Sequence, residues 1–243
     1  MLYIFFMEIT KYYSSSRDLK KRSSKSITAI ILHYTGMQSE RESLKKLTNP
    51  KSKVSCHYLI NRKGKVFSLV KDNHIAWHAG KSMWRKYRNL NKNSIGVELV
   101  NKGHKYGYQK FTKVQINRLV ILCRNLKKKY RIKNQFILGH SDIAPLRKID
   151  PGEKFPWKYL SSKNIGIYPK KIKIKNGFQL KTKNNKAFFK NLYKIGYRYL
   201  NKRPQNRIIK NFQRRYRQKK VNGFLDKETL KISDILAKKS NIS

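Results

Sequence analysis

Hydrophobic positions along this chain change their period several times, and each change marks an element. Ile30-Ile31-Leu32 form a short continuous apolar run inside Thr28 to Tyr34, which reads as a first strand closing on His33. Ser39 to Leu47 reads as a short helix that ends before Asn49-Pro50. Val54 to Asn61 alternates as a strand, Lys63-Gly64 supplies a turn, and Lys65 to Val70 completes a hairpin. In Ser94 to Val100 the aliphatics Ile95, Val97 and Leu99 alternate with Ser94, Gly96 and Glu98. A strand there turns Glu98 away from its aliphatic face. Ile116, Leu119, Val120, Cys123, Leu126 and Tyr130 recur at three- and four-residue spacing, the buried stripe of a helix that Thr112 can N-cap. Gln135 to Leu138 makes a last strand delivering His140. This order predicts an α/β fold with a mixed central sheet flanked by helices.

The pattern then shifts. From about residue 161 to 183 the chain is Lys-rich with little helical periodicity, and a linker is expected at 169–183. Three helix-like segments follow, about Lys186 to Leu200, Pro204 to Gln218 with its proline in the first turn, and Asp226 to Ala237 with Asp226 as N-cap. They predict a small three-helix domain at 184–243, either an extension packed on the main domain or a bundle that binds something. Residues 8 to 27 are rich in Ser, Lys and Arg, so 1–26 reads as a basic lead-in to a main domain at 27–168.

Composition widens the choice of partner. With 59 Lys+Arg against 12 Asp+Glu and a formal net charge of +47, any polyanion attracts the chain at low salt, whether nucleic acid, anionic lipid or anionic cell-wall polymer. Biased composition with solvated lysines would look the same. Yet four of the 12 acidic residues, Glu98, Asp142, Asp150 and Glu153, fall in or near one candidate site. Cys56 and Cys123 suggest neither a thiolate metal site nor a disulfide framework, and Cys123 lies on the helical stripe as a core residue. The apolar start meets Glu8 at once without a basic flank or a small-residue cleavage site, a poor signal peptide. No cysteine precedes position 56 to carry a lipid anchor, and no apolar run is long enough to span a bilayer.

The densest chemistry lies between Gly139 and Trp157. His140 and Asp150 stand on what reads as a loop stiffened by Pro145, Pro151 and Pro156, and His33 closes the first strand far upstream. Two imidazoles and one carboxylate make a three-ligand zinc set with an open fourth position, the arrangement of a catalytic site. In isolation a loop histidine beside an aspartate is a surface hydrogen-bonded pair; the surrounding motifs weigh against that.

Those motifs are Ile31-Leu32-His33-Tyr34-Thr35, Val54-Ser55-Cys56-His57-Tyr58-Leu59-Ile60, Ala76-Trp77-His78-Ala79-Gly80, Asn93-Ser94-Ile95-Gly96-Val97-Glu98 and the stretch from Gly139 to Trp157. In this order, over roughly residues 27 to 168, the chain resembles the zinc-dependent N-acetylmuramoyl-L-alanine amidases of the AmiD/AmpD type, whose fold is related to phage amidases and peptidoglycan recognition proteins. The resemblance implies one Zn2+ per chain held by His33, His140 and Asp150, with Glu98 as catalytic carboxylate and Lys148 as cationic stabiliser. The chemistry agrees from below. A three-ligand zinc lowers the pKa of its water toward about 7, a carboxylate can move the proton, and Lys148, two residues before Asp150 in an extended segment, would point the same way.

Trp77 and His78 are expected to line the cleft, with core packing as the alternative for Trp77, and His57 to stand behind the site or in its pocket, with a hydrogen-bonded core histidine as the alternative. His74 and His104 carry no signal. Cys56 stands where the family commonly has a small residue and is expected to be packed, close enough to the site for oxidation to matter.

Ile208 to Tyr216, Val221 to Asp226 and Thr229-Leu230 resemble a small three-helix peptidoglycan-binding domain, which makes the tail a separable wall-binding module. The expected partner is peptidoglycan or its muropeptides. A non-catalytic wall-binding protein is the alternative, opposed by the presence of all three ligands, Glu98 and Lys148. A nucleic-acid binder rests on charge alone, without a supporting motif. The tail favours the cell envelope or periplasm, and the missing signal peptide leaves the cytoplasm open. Nothing in the sequence sets the oligomeric state.

Overall fold

The computed structural model describes residues 8–18, 20–169 and 185–240. Apart from Pro169, the expected linker at 169–183 lies outside the described residues. The centre is a six-stranded sheet of β1 (Ile9–Lys11), β2 (Ala29–Tyr34), β3 (Tyr58–Ile60), β4 (Val66–Ser68), β7 (Ser94–Leu99) and β8 (Ile137–Gly139), in the order β1-β4-β3-β7-β2-β8. A small ribbon of β5 (Met83–Trp84) and β6 (Tyr87–Arg88) lies apart from it. Only the β3–β4 hairpin is antiparallel; the other pairings in the sheet are parallel. The mixed sheet flanked by helices is the expected fold.

Alternation along β2 and β7 divides the core in two. Ile30, Leu32, Ile95, Val97 and Leu99 face α2 (Lys113–Tyr130), whose Ile116, Leu119, Cys123 and Leu126 fill that side. Thr112 caps α2 by accepting from the Gln115 backbone amide. On β2 the opposite face carries Ala29 and Ile31, followed by His33, so the same two-residue period that fills the core delivers the first candidate ligand. In β7, Ser94, Gly96 and Glu98 share that side. Beyond β2, α1 (Glu40–Thr48) is capped by Ser39.

His140 does not sit on a loop. It opens α3 (His140–Ile143), a single helical turn directly after β8. The chain then turns through Pro145 to Ile149 and reaches α4 (Trp157–Ser162). Three further helices follow, α5 (Asn185–Ile195), α6 (Gln205–Tyr216) and α7 (Lys227–Ser240), close to the segments read from periodicity. They do not build a core of their own. Phe188, Leu192, Ile208 and Phe212 join one cluster with Ala29, Ile31, Leu138 and Ile143. Trp84 packs edge-on against Tyr197, with ring centroids 4.9 Å apart. Each fully buried side chain of this size contributes roughly 1.5–3 kcal/mol, so the second face of the sheet is covered by the tail. The packed extension, rather than the detached bundle, is the arrangement present.

The described part of the basic lead-in, residues 8–18 and 20–26, is structured as well. β1 pairs in parallel with β4, and Arg22 reaches between the strands to donate to Ser94 O at 2.8 Å, Asn91 O at 3.0 Å and Asp72 O at 2.9 Å. A Ser-, Lys- and Arg-rich composition concealed a three-residue strand and a cation used as an internal tie.

Candidate active site

Parallel pairing sets His33 of β2 beside Glu98 of β7, and β8 ends next door at Gly139, so the carboxyl ends of three strands converge on one point. Open α/β sheets place their sites at such ends. There, His33, His140 and Asp150, all buried, offer ligand atoms to a common centre. His33 Nδ1 lies 3.0 Å from His140 Nδ1 and 3.0 Å from Asp150 Oδ2, and His140 Nδ1 lies 3.1 Å from Asp150 Oδ2. These edges are close to the ~3.3 Å separating ligands of a tetrahedral zinc at 2.0–2.1 Å.

The proton positions follow from the neighbours. Ser94 Oγ donates to Leu90 O at 2.6 Å, which leaves it to accept from His78 Nε2 at 3.2 Å. His78 Nδ1 then accepts from His33 Nε2 at 3.1 Å, and His33 Nδ1 is left with a bare lone pair. His140 Nε2 can only donate to Ala79 O, 3.1 Å away, so its Nδ1 lone pair is also free. Burial, then the neighbouring His140, depress the His33 pKa to about 4, keeping the ring neutral. Burial alone would raise Asp150, but the closeness of His140 and His33 holds it well below the usual carboxylate range. Two imidazole lone pairs and a carboxylate aimed at one another repel unless a cation lies among them. The donor set therefore fits a metal ion.

Glu98 faces the same space. Its Oε2 is buried and makes no hydrogen bond to a described residue. Burial, reinforced by the negative charge of Asp150 and opposed by Lys148, raises its pKa to about 8. His33, Glu98, His140, Lys148, Asp150 and Trp77 line a cavity of about 300 Å³. An adjoining hollow of about 570 Å³, bounded by Pro50, Lys53, Gly80 and Asn91, shares Trp77, His78, His140 and Lys148 with it. Lys148 reaches the cavity by a different route from the one expected. The segment is not extended; the Lys148 amide donates to Ala144 O at 3.0 Å in a turn, and the turn brings the side chain round.

One sequence expectation needs correction. His57 is fully buried and absent from the cavity wall. Its Nδ1 accepts from the Gly96 amide at 2.9 Å and its Nε2 lies 3.2 Å from His74 O, so it is the hydrogen-bonded core histidine. His78 lines both hollows, and its ring is committed to His33 and Ser94. Gly96 makes this possible, because a Cβ there would stand 2.4 Å from the His78 ring. Sequence reasoning passed over Ser94, Gly96 and Asn91, whose Oδ1 accepts from the His78 and Ala79 amides at 3.1 and 2.7 Å. Arg147 was missed too; it donates to Ala79 O at 2.8 Å. Only the closeness of Ser94 and Gly96 to Glu98 within one motif hinted at them.

A buried two-histidine, one-carboxylate cluster at strand ends, with a buried glutamate and a groove before it, defines a metal-assisted hydrolase. Residues 23–153 match the N-acetylmuramoyl-L-alanine amidase family. The chain is 33% identical to the N-acetylmuramoyl-L-alanine amidase AmiD of Escherichia coli (strain K12), over 94% of its own length and 88% of the relative's. It is also 33% identical to the 1,6-anhydro-N-acetylmuramyl-L-alanine amidase AmpD of Haemophilus influenzae, over 59% of this chain and 86% of that one. The solved complex of the E. coli AmiD with anhydro-N-acetylmuramic acid-L-Ala-D-gamma-Glu-L-Lys superposes with a TM-score of 0.80 at 30% identity, covering 93% of each chain. AmpDh3 of Pseudomonas aeruginosa gives 0.75 at 28% identity, covering 93% of this chain and 96% of that one. The chain belongs to the N-acetylmuramoyl-L-alanine amidase family. It is a hydrolase of the amide between N-acetylmuramic acid and the L-alanine of the peptidoglycan stem peptide. No helix among the described residues is long and apolar enough to cross a membrane.

Proposed function

We propose that His33, His140 and Asp150 hold one zinc ion through Nδ1, Nδ1 and a carboxylate oxygen, that Glu98 moves the proton and that Lys148 faces the developing negative charge. The observation that carries this reading is the triangle of donor atoms with both Nε2 protons turned outward. Zinc held there supplies a Lewis acid and lowers the pKa of water. Glu98 accepts the proton of the attacking water at Oε2 and hands it to the L-alanine nitrogen as the amide breaks. The ammonium of Lys148 stabilises the carbonyl oxygen as charge builds on it. Trp77, on the wall of both hollows, offers a face for the sugar and peptide stem.

Muropeptides and the polymer that contains them are the proposed substrates; the wall-binding likeness of the C-terminal helices favours the cell envelope, with the cytoplasm as the alternative compartment. Chelation should abolish release of L-alanine-terminated peptides, and zinc should restore it. Metal analysis of the active protein is the decisive measurement. Turnover without bound zinc, or full zinc occupancy after His33→Ala, would refute the assignment.

A further inference from the structure

The segment carrying His140, Lys148 and Asp150 has little regular structure of its own beyond the single turn of α3. Its internal ties are few, chiefly the Ser141 amide to Asp150 O at 2.9 Å and the Lys148 amide to Ala144 O at 3.0 Å. His140 and Arg147 tie it to Ala79 O, at 3.1 and 2.8 Å, and Tyr108 Oη donates to Pro151 O at 2.5 Å; further support comes from α6, more than sixty residues later. Asn211, buried, donates both hydrogens of its side-chain amide, to Pro145 O at 2.6 Å and to Lys148 O at 2.8 Å. Arg215, one turn on and therefore on the same face, is buried against Asp142 as an ion pair and donates to Ile137 O at 3.0 Å. Asp142 in turn accepts from the Gly139 amide at 2.7 Å and from Tyr197 Oη at 2.5 Å. Gly139 immediately precedes His140. Asn211 ends on the backbone carbonyl of Lys148, and Arg215 reaches the Gly139 amide through the Asp142 side chain, so neither touches the Lys148 ammonium or His140 Nδ1.

We propose that Asn211 and Arg215 are positioning residues of the active site, Asn211 setting the direction of Lys148 through its carbonyl and Arg215, through Asp142, seating His140. The C-terminal helices thus complete the catalytic centre from behind, whatever contact they make with the wall. The proposal rests on the zinc-site reading above. The geometry separates the two roles. A carbonyl clamp at Lys148 acts on the charge that faces the substrate, while the Asp142 hub acts on a ligand. Losing Asn211 should therefore slow turnover with zinc retained, and weakening Arg215 should loosen zinc.

The test uses the full-length, zinc-loaded protein and a double-mutant cycle. Asn211→Ala should lower kcat by about 10- to 100-fold, the range for groups that orient a working side chain, while KM and the zinc dissociation constant stay within about twofold. In a Lys148→Ala background the same change should cost nothing further, because the group it positions is gone. Arg215→Lys keeps the charge opposite Asp142 but loses the planar fork, and should weaken zinc by about tenfold in competition with a chromophoric chelator. Asn211→Ser keeps a single donor and serves if the alanine variant is unfolded by circular dichroism; it should show an intermediate loss of kcat. An equal kcat loss in both backgrounds would make Asn211 merely structural and overturn its role. Unchanged zinc affinity in Arg215→Lys would overturn the other half. If His33→Ala and His140→Ala retained zinc as the native chain does, the site reading itself would fall and the proposal with it.

Discussion

The two halves of the active site are held by different means. His33 and Glu98 stand on adjacent strands in register, and the hydrogen-bonded series Leu90, Ser94, His78, His33 runs within that half. His140, Lys148 and Asp150 ride on a turn whose shape depends on Asn211, Arg215 and, at its far end, Arg214 with Glu153 at 3.3 Å and Gln218 with Phe155 O at 2.6 Å. Strand ladders position a side chain through many short-range, mutually supporting bonds. A turn with few internal bonds must borrow its rigidity, and here it borrows from the other end of the chain. One half should therefore tolerate loss of the tail and the other should not.

Deleting residues 184–243 tests that contrast most severely. The deletion bares Ile31, Leu138 and Ile143 and releases the ligand-bearing turn, so activity on an isolated muropeptide should be lost along with activity on sacculi. Normal muropeptide cleavage by a soluble truncated chain would restore the separable wall-binding module read from the sequence. Within the strand-borne half, Glu98→Gln should keep zinc and lower kcat on the order of 10²- to 10⁴-fold; zinc content measured beside kcat tells a proton carrier from a ligand. Ser94→Ala removes the acceptor that sets the His78 and His33 tautomers, and should cost roughly 10-fold or more in zinc affinity. Chelator competition that found no change would mean that sheet register alone orients His33.

A further test uses pH. In the metal-free protein the Glu98 carboxyl titrates at about 8 instead of its ordinary 4.5. Between these values the folded state keeps a proton that the unfolded chain has released. Glu98 therefore opposes unfolding least as pH rises, its contribution being full below about 4.5 and lost through about 8, of the order of a few kcal/mol in total. Urea midpoints of the metal-free native chain should fall over that window, and those of Glu98→Gln should fall less. Parallel slopes would place Glu98 in a wetter setting than the strand provides.

Much of this was legible before any coordinates. A period of two in β7 put Glu98 opposite Ile95, Val97 and Leu99, and that is where it lies. Thr112 caps the helix it was expected to cap. Ordered motifs carried the metal cluster and the family, because local propensity and short-range pattern act through neighbours in the chain. His57 and His78 look alike in sequence, each a histidine in a motif. Only packing sends one into the core beneath Arg22 and puts the other behind His33.

By itself, then, the sequence determined the elements, the sheet class and the set of chemically active side chains, each a matter of residue type and short spacing. Tertiary structure alone decided which nitrogen of each histidine faces the metal site and how Lys148 turns inward. It also decided that the helices following residue 184 share an apolar cluster with β2 and β8. Those outcomes depend on hydrogen bonds such as Asn211 to Lys148 and Arg215 to Ile137, whose partners lie 63 and 78 residues apart. No periodicity encodes a contact at that distance; it exists only once the shared apolar face has brought α6 against the turn.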